Sequence, residues 1–139
     1  MHADLVVKSI LFNQDCSKIL LLQRSGADPI GANTWENAGG NLEQGENPED
    51  AVRREIQEET GIAEIAVKRV AYVTLIDGDA PYLIIAYICE SPTTTVRLSH
   101  EHQAFQWADQ EACKAMLPEP IIDDFIKNGI FDLFHGGMD

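Results

Sequence analysis

Residues 47–61, NPEDAVRREIQEETG, constrain the fold more than any other stretch, because they carry the punctuation of a helix at both ends. Asn47 can cap the first turn with its side chain, and Pro48 suits the first helical position, where no N–H is needed. Glu49 and Asp50 put acid at the positive end of the helix dipole, and Gly61 offers the left-handed residue on which helices stop. These signals predict a helix over about residues 48 to 60. Val52 and Ile56 form its apolar stripe, so it has one face to bury. The flanking segments are strand-like. Leu5 to Phe12 and Ile19 to Leu22, joined through Asn13-Gln14-Asp15, predict a hairpin of two buried strands. Ser25 to Thr34 is a loop by its Gly, Asp, Asn and Pro content, and Trp35 opens a brief ordered segment before Gly39-Gly40. Ile65 to Ile76 and Tyr82 to Cys89 form a second hairpin about Asp77-Gly78-Asp79, and a shorter strand follows at Ala104 to Trp107. A helix capped by Asp109 runs through Met116, and another spans Ile121 to Lys127 before a frayed Gly136-Gly137 tail. One strong helix among hairpin strands, closed by further helices, predicts a mixed sheet with helices on both faces, of the α/β or α+β class. At 139 residues the chain is expected to form one domain, residues 1–139.

The formal net charge of −13 argues against a nucleic-acid polymer as partner, since such a field repels polyanions. A small anion would need a metal ion or a local basic spot. Cys16, Cys89 and Cys113 are odd in number, far apart and without C-x-x-C spacing, which fits a reduced, cytoplasmic setting rather than a disulfide framework or zinc site. The apolar N-terminal stretch is interrupted by Lys8, and no run is long enough to span a membrane, so no membrane partner is expected.

The second half of the predicted helix carries Glu55, Glu58 and Glu59 at i, i+3 and i+4, which puts three carboxylates on one face. Like charges at these spacings cost a few tenths of a kcal/mol each, and they lie near the negative end of the dipole. Arg54 can reach Glu58 at i+4 and Asp50 at i−4, but one cation does not neutralise the cluster. Most acidic runs are solvated faces. Here Glu59 lies beside Val52 and Ile56, so the cluster borders the buried side of the helix and calls for a hard cation such as magnesium or manganese. Upstream, Gly39-Gly40 lets the backbone approach a ligand closely, and a carbonyl there could complete a metal shell.

From Gly40 the sequence reads GNLEQGENPEDAVRREIQEETGI, which resembles the Nudix box, Gly-x5-Glu-x7-Arg-Glu-U-x-Glu-Glu-x-Gly-U with U aliphatic. Gly40, Glu46, Arg54, Glu55, Ile56, Glu58, Glu59, Gly61 and Ile62 match every specified position, a coincidence with a chance on the order of one in ten million. The resemblance implies an α/β/α sandwich with a mixed sheet between helices, and hydrolysis of nucleoside diphosphates linked to another group, assisted by divalent ions. It implies Glu58 and Glu59 as main metal ligands, Glu55 as a further ligand or the base, a Gly39 carbonyl as ligand, and Gly40, Glu46 and Arg54 as residues that shape the loop and orient the glutamates. Glu101, in Ser99-His100-Glu101-His102, matches the place where relatives supply an extra glutamate as ligand or base. His100 and His102 flank that acid, but without a cysteine or third histidine nearby they do not make a zinc site.

Arg24, at the end of the second strand, is a candidate phosphate contact, with a surface strand-end arginine as the bland alternative. Trp35, Asn37, Tyr82 and Phe105 are candidates for base stacking or recognition, although strand aromatics are more often core, as is expected of Trp107. Ala38 stands where many relatives carry proline before the two glycines, which bears on substrate class and not on chemistry. The downstream residues that in relatives mark dinucleoside polyphosphate, ADP-ribose or coenzyme A cleavers are not clearly present: Pro81 and Tyr82 lie somewhat too far from the box, and no coenzyme A signature follows. By elimination the expected substrate is a nucleoside triphosphate or modified nucleotide, with a homodimer as the leaning for assembly. The alternative is a noncatalytic domain of the same fold that senses a nucleotide.

Overall fold

A computed structural model describes residues 3–134. Its elements are β1 (Asp4–Phe12), β2 (Ile19–Arg24), β3 (Trp35–Glu36), β4 (Gly39–Asn41), α1 (Pro48–Thr60), β5 (Ala66–Ile76), β6 (Tyr82–Glu90), β7 (His102–Ala108), α2 (Gln110–Met116) and α3 (Glu119–Lys127), followed by a 3-10 turn at Ile130–Leu133. The expected tail at Gly136-Gly137 lies outside the described residues.

α1 begins and ends as its sequence requires. The Asn47 side chain accepts from the Glu49 amide at 3.0 Å, and Gly61 takes φ 75° while its N–H returns to the Gln57 carbonyl. Ala51, Val52, Ile56, Glu59 and Thr60 are its buried face. Burial of Val52 and Ile56 stabilises by roughly 2 kcal/mol each, which outweighs the few tenths lost per glutamate pair.

All seven strands belong to one mixed sheet, ordered β3-β2-β1-β6-β5, with β7 on the other edge of β2 and β4 against β1. β1 and β6 run parallel over nine consecutive pairs, from Asp4↔Tyr82 to Phe12↔Glu90. Alternation sorts the core into two layers. Val7, Leu11, Leu20, Leu22, Tyr87 and Cys89 pack with α1, whereas Ile10, Phe12, Ile19, Leu21, Ala86 and Ile88 pack with Cys113, Phe125 and Ile130 from the opposite side. Helices therefore cover both faces, as expected.

The first hairpin is not the regular ladder expected of two buried strands. β1 and β2 pair at Phe12↔Ile19 and then splay apart, and residues 35–41 thread the wedge. Trp35–Glu36 pairs with β2, the Ala38 carbonyl accepts from the Ser9 amide at 2.8 Å, and Gly39–Asn41 pairs with Val6–Lys8 of β1. A backbone run that crosses between two strands satisfies both exposed edges at once. A side chain at Gly39 could not fit, since its Cβ would fall on the Val7 carbonyl and 2.8 Å from Lys8 Cα.

Candidate active site

The wedge brings the floor of the sheet up to α1. Gly40 faces Glu55 so closely that a Cβ would lie 2.6 Å from the Glu55 carboxyl carbon, and the absent side chain is the space the carboxylate occupies. One turn on, Glu59 is buried, and its Oε1 accepts from the Gly39 N–H at 2.9 Å. Burial pushes Glu59 up to about 8, against the pull of that hydrogen bond and of Lys8, and the charges of Glu55 and Glu101 add to the rise. Glu55 is likewise raised, by burial first, although Arg54 opposes it. Glu58 is exposed.

Arg54 ties the loop to these glutamates. Its Nε and Nη2 donate to the two oxygens of Glu46 at 2.8 and 3.0 Å, its Nη1 donates to Glu55 at 2.9 Å and Glu58 at 3.2 Å, and its Nη2 also reaches the Asn41 carbonyl. The expected pairing with Asp50 is not formed. Asp50 instead meets Arg53 at 3.8 Å, because the arginine fork is consumed by Glu46 on the loop side. The Arg54 hydrogen bond holds Glu46 below the usual carboxylate range.

A cleft of about 230 Å3 opens beside Gly39, Gly40 and Glu59 and is lined also by Lys8, Arg24, Glu36 and Glu101, whereas Glu46, Arg54, Glu55 and Glu58 lie outside its lining. Its ionisable lining is two cations, Lys8 and Arg24, and four acids, of which Asp28, Glu36 and Glu101 outnumber the cations even with the buried Glu59 protonated. Free phosphate would meet net repulsion there, which is the electrostatic situation a divalent cation corrects. The acidic donors are all hard oxygens, the kind magnesium and manganese take, and burial holds Glu59 and the neighbouring Glu55 above the usual carboxylate range. Among the described residues no three such side chains already converge into a coordination shell. Glu58 is tied to Arg54 and Glu59 to the Gly39 amide.

Sequence reasoning missed the hub of the cleft, Glu36. It is bonded by Lys8 Nζ at 3.3 Å, by Arg24 Nη1 at 3.3 Å and by His102 Nε2 at 2.8 Å. Burial opposes its ionisation, but His102, Lys8 and Arg24 outweigh burial and hold it at about 2. The available signal was Lys8, a lone charge inside an apolar strand. Arg24 lies in the cleft with its guanidinium held by Asp28 and Glu36. His102 is buried beneath it, whereas His100 is exposed and lines a separate surface hollow with Glu101.

A second, more apolar cavity of about 250 Å3 shares Lys8, Arg24, Glu36 and Tyr82 with the first and continues to Asn37, Tyr72, Ile76, Ile84 and α3. Asn37 is buried there, and its Nδ2 has no hydrogen-bond partner. Tyr82 lines both cavities. Trp35 packs against the α3-side core and Trp107 against the α1-side core, while Phe105 is exposed on β7, and none of the three lines either cavity.

The sequence model of the NUDIX domain matches residues 3–127. The chain belongs to the NUDIX family. This NUDIX chain is 32% identical over 110 residues to the asymmetrical bis(5'-nucleosyl)-tetraphosphatase of Mus musculus, covering 70% of this chain and 68% of that protein. It is 33% identical over 116 residues to an octanoyltransferase of Myxococcus xanthus, where it spans only 32% of the relative's length. Its fold superposes on the crystal structure of the MutT protein from Methanosarcina mazei Go1 with TM-score 0.78 and 26% identity, covering 94% of this chain and 96% of the other. Among the described residues no helix is long and apolar enough to cross a membrane.

Proposed function

We propose that this NUDIX chain hydrolyses a phosphoanhydride bond in a small nucleotide, a nucleoside triphosphate or modified nucleotide, with magnesium or manganese as cofactor. The observation that carries the reading is the cleft lined by Lys8, Arg24, Gly39, Glu59 and Glu101, which shares its wall with a largely apolar cavity of base size. Carboxylates supply the cation site, cations take phosphate oxygens, and the second cavity seats the base.

Glu58, Glu59, Glu55 and the Gly39 carbonyl would hold the cation, with Glu101 across the cleft. A divalent ion bound there neutralises phosphate charge and lowers the pKa of the attacking water. Lys8 and Arg24, oriented by Glu36, would bind non-bridging oxygens, and Asn37 and Tyr82 would meet the base. Glu55, kept protonatable by its burial, or Glu101 at the mouth of the cleft takes the proton as water oxygen attacks phosphorus and the bridging oxygen departs. Arg54 fixes where the glutamates stand. The mouse relative's name, a tetraphosphatase, is consistent with polyphosphate chemistry and adds a dinucleoside tetraphosphate to the substrates worth testing.

The test is a release assay over nucleoside triphosphates, oxidised nucleotides, dinucleoside polyphosphates, ADP-ribose and nucleotide sugars, with phosphate and pyrophosphate scored separately. Expected is magnesium-dependent turnover of one class, reduced at least about a hundredfold in Glu58→Gln. Tight nucleotide binding without turnover of any compound would sink the hydrolase reading in favour of a sensor.

A further inference from the structure

Beyond the cleft, two strands bound the sheet, β7 and β5, and β5 is the longer and carries more exposed apolar side chains. β5 ends the strand order, and among the described residues no strand pairs with its free side. It is eleven residues long. Pairing with β6 sorts its side chains: Val70, Val73 and Leu75 stand opposite Tyr87, Ile85 and Leu83, on the α1 side of the sheet. α1 does not reach them, and they are 46%, 54% and 44% exposed. An open backbone edge carrying an apolar stripe is a template for another strand.

We propose that this edge is where two copies of the chain join, β5 against β5, antiparallel about a two-fold axis at Thr74. Irregularities between Val67 and Arg69 and between Val70 and Tyr72 interrupt the strand, which leaves Tyr72–Ile76 as its longest regular run. Centring the axis on Thr74 pairs all five of those residues. It sets Tyr72 opposite Ile76 and Val73 opposite Leu75 of the other copy, so that each side chain meets one from the same face of the sheet. Other centres waste part of the run or oppose side chains from different faces.

Charge selects a second copy over an unrelated strand. Two molecules of net charge −13 repel at long range, so association needs a local attraction. Lys68 and Arg69 lie just before the regular run and Asp77 and Asp79 just after it. The antiparallel arrangement brings the cationic end of each strand alongside the acidic turn of the other, twice by symmetry. Lys68 and Arg69 are free enough to do so: Lys68 has only a 3.9 Å contact to Glu90, and Arg69 a bond to the Val70 carbonyl.

Sedimentation velocity on the whole chain tests this at micromolar concentration and physiological salt. The expected result is a dimer, weakened at least about tenfold by Val73→Lys. Lys68→Glu with Arg69→Glu in one chain, and Asp77→Lys with Asp79→Lys in another, should each weaken it comparably. Mixed in equal amounts, the two charge variants should associate again, because both ends of the mixed dimer regain opposite charges. A monomeric parent chain, a dimer indifferent to Val73→Lys, or charge variants that do not recover on mixing would each overturn the proposal. Circular dichroism checks that the variants fold, and should Val73→Lys unfold, the mixing experiment decides alone.

Discussion

The Gly39 amide donates to Glu59 Oε1 at 2.9 Å, tying the buried carboxyl of the last turn of α1 to the strand that fills the wedge between β1 and β2. Without a cation this carboxyl sits at about 8, far above the usual carboxylate value, because burial disfavours its charge. The folded chain then holds a proton that the unfolded chain has released. Stability should therefore be full below the unfolded carboxylate value and fall as pH rises from about 4.5 to about 8, by on the order of 5 kcal/mol. Urea midpoints in the presence of a chelator, compared between mildly acidic and mildly basic buffer, measure it. Glu59→Gln should flatten the slope, and magnesium should restore the loss at the basic end. A midpoint that does not move with pH would show that the buried carboxyl is not protonated.

Gly40→Ala should be far more damaging than a glycine-to-alanine change in an open loop. The new methyl would sit 2.6 Å from the Glu55 carboxylate, so either β4 or the glutamate must move. Overpacking of this kind costs about 1 to 3 kcal/mol, and displacement of Glu55 should lower kcat by about a hundredfold or more. Gly45→Ala is the control for backbone strain without a clash, since its φ of 78° disfavours alanine by about 1 kcal/mol while its Cβ would meet nothing within 4 Å. If the two variants retain equal activity, Glu55 has no part in the reaction.

α1 was legible from sequence to the residue, because its determinants are local: a cap, a proline, a stripe and a terminal glycine within fifteen positions. The carboxylate cluster was legible for the same reason. Glu36 was not. Its partners Arg24, Lys8 and His102 lie 12, 28 and 66 residues away, brought together only when β1 and β2 splay. Strands as short as β3 and β4 have no periodicity to read, and their pairing is wholly non-local. Helical spacing puts Asp50 within reach of Arg54 but does not weigh the competing pull of Glu46 from the preceding loop.

Arg54→Lys separates charge from geometry. The guanidinium addresses both oxygens of Glu46 and, in the same plane, Glu55 and Glu58, whereas an ammonium keeps the charge but not the fork. The expected outcome is a kcat lowered by about ten- to a hundredfold, KM changed little, and stability reduced by about 1 kcal/mol. Steady-state kinetics with a thermal melt distinguishes this from a purely electrostatic role, for which lysine would suffice.

Glu36→Gln tests the hub. The amide keeps the shape but loses the charge that Lys8, Arg24 and His102 share, and the side chain is only 16% exposed. Depriving Lys8 of its carboxylate, and Arg24 of one of its two, should cost about 2 kcal/mol at neutral pH. It should also raise KM more than it lowers kcat, because the cations that would meet phosphate are no longer oriented. The pH dependence identifies the cause. Glu36 is held at about 2 in the folded chain, below its unfolded value, so its contribution is present above about 4.5 and lost as pH falls toward 2. The stability gap between the parent chain and Glu36→Gln should accordingly close over that acid window in urea titrations. A gap that stays constant down to pH of about 2 would assign the cost to packing rather than to charge.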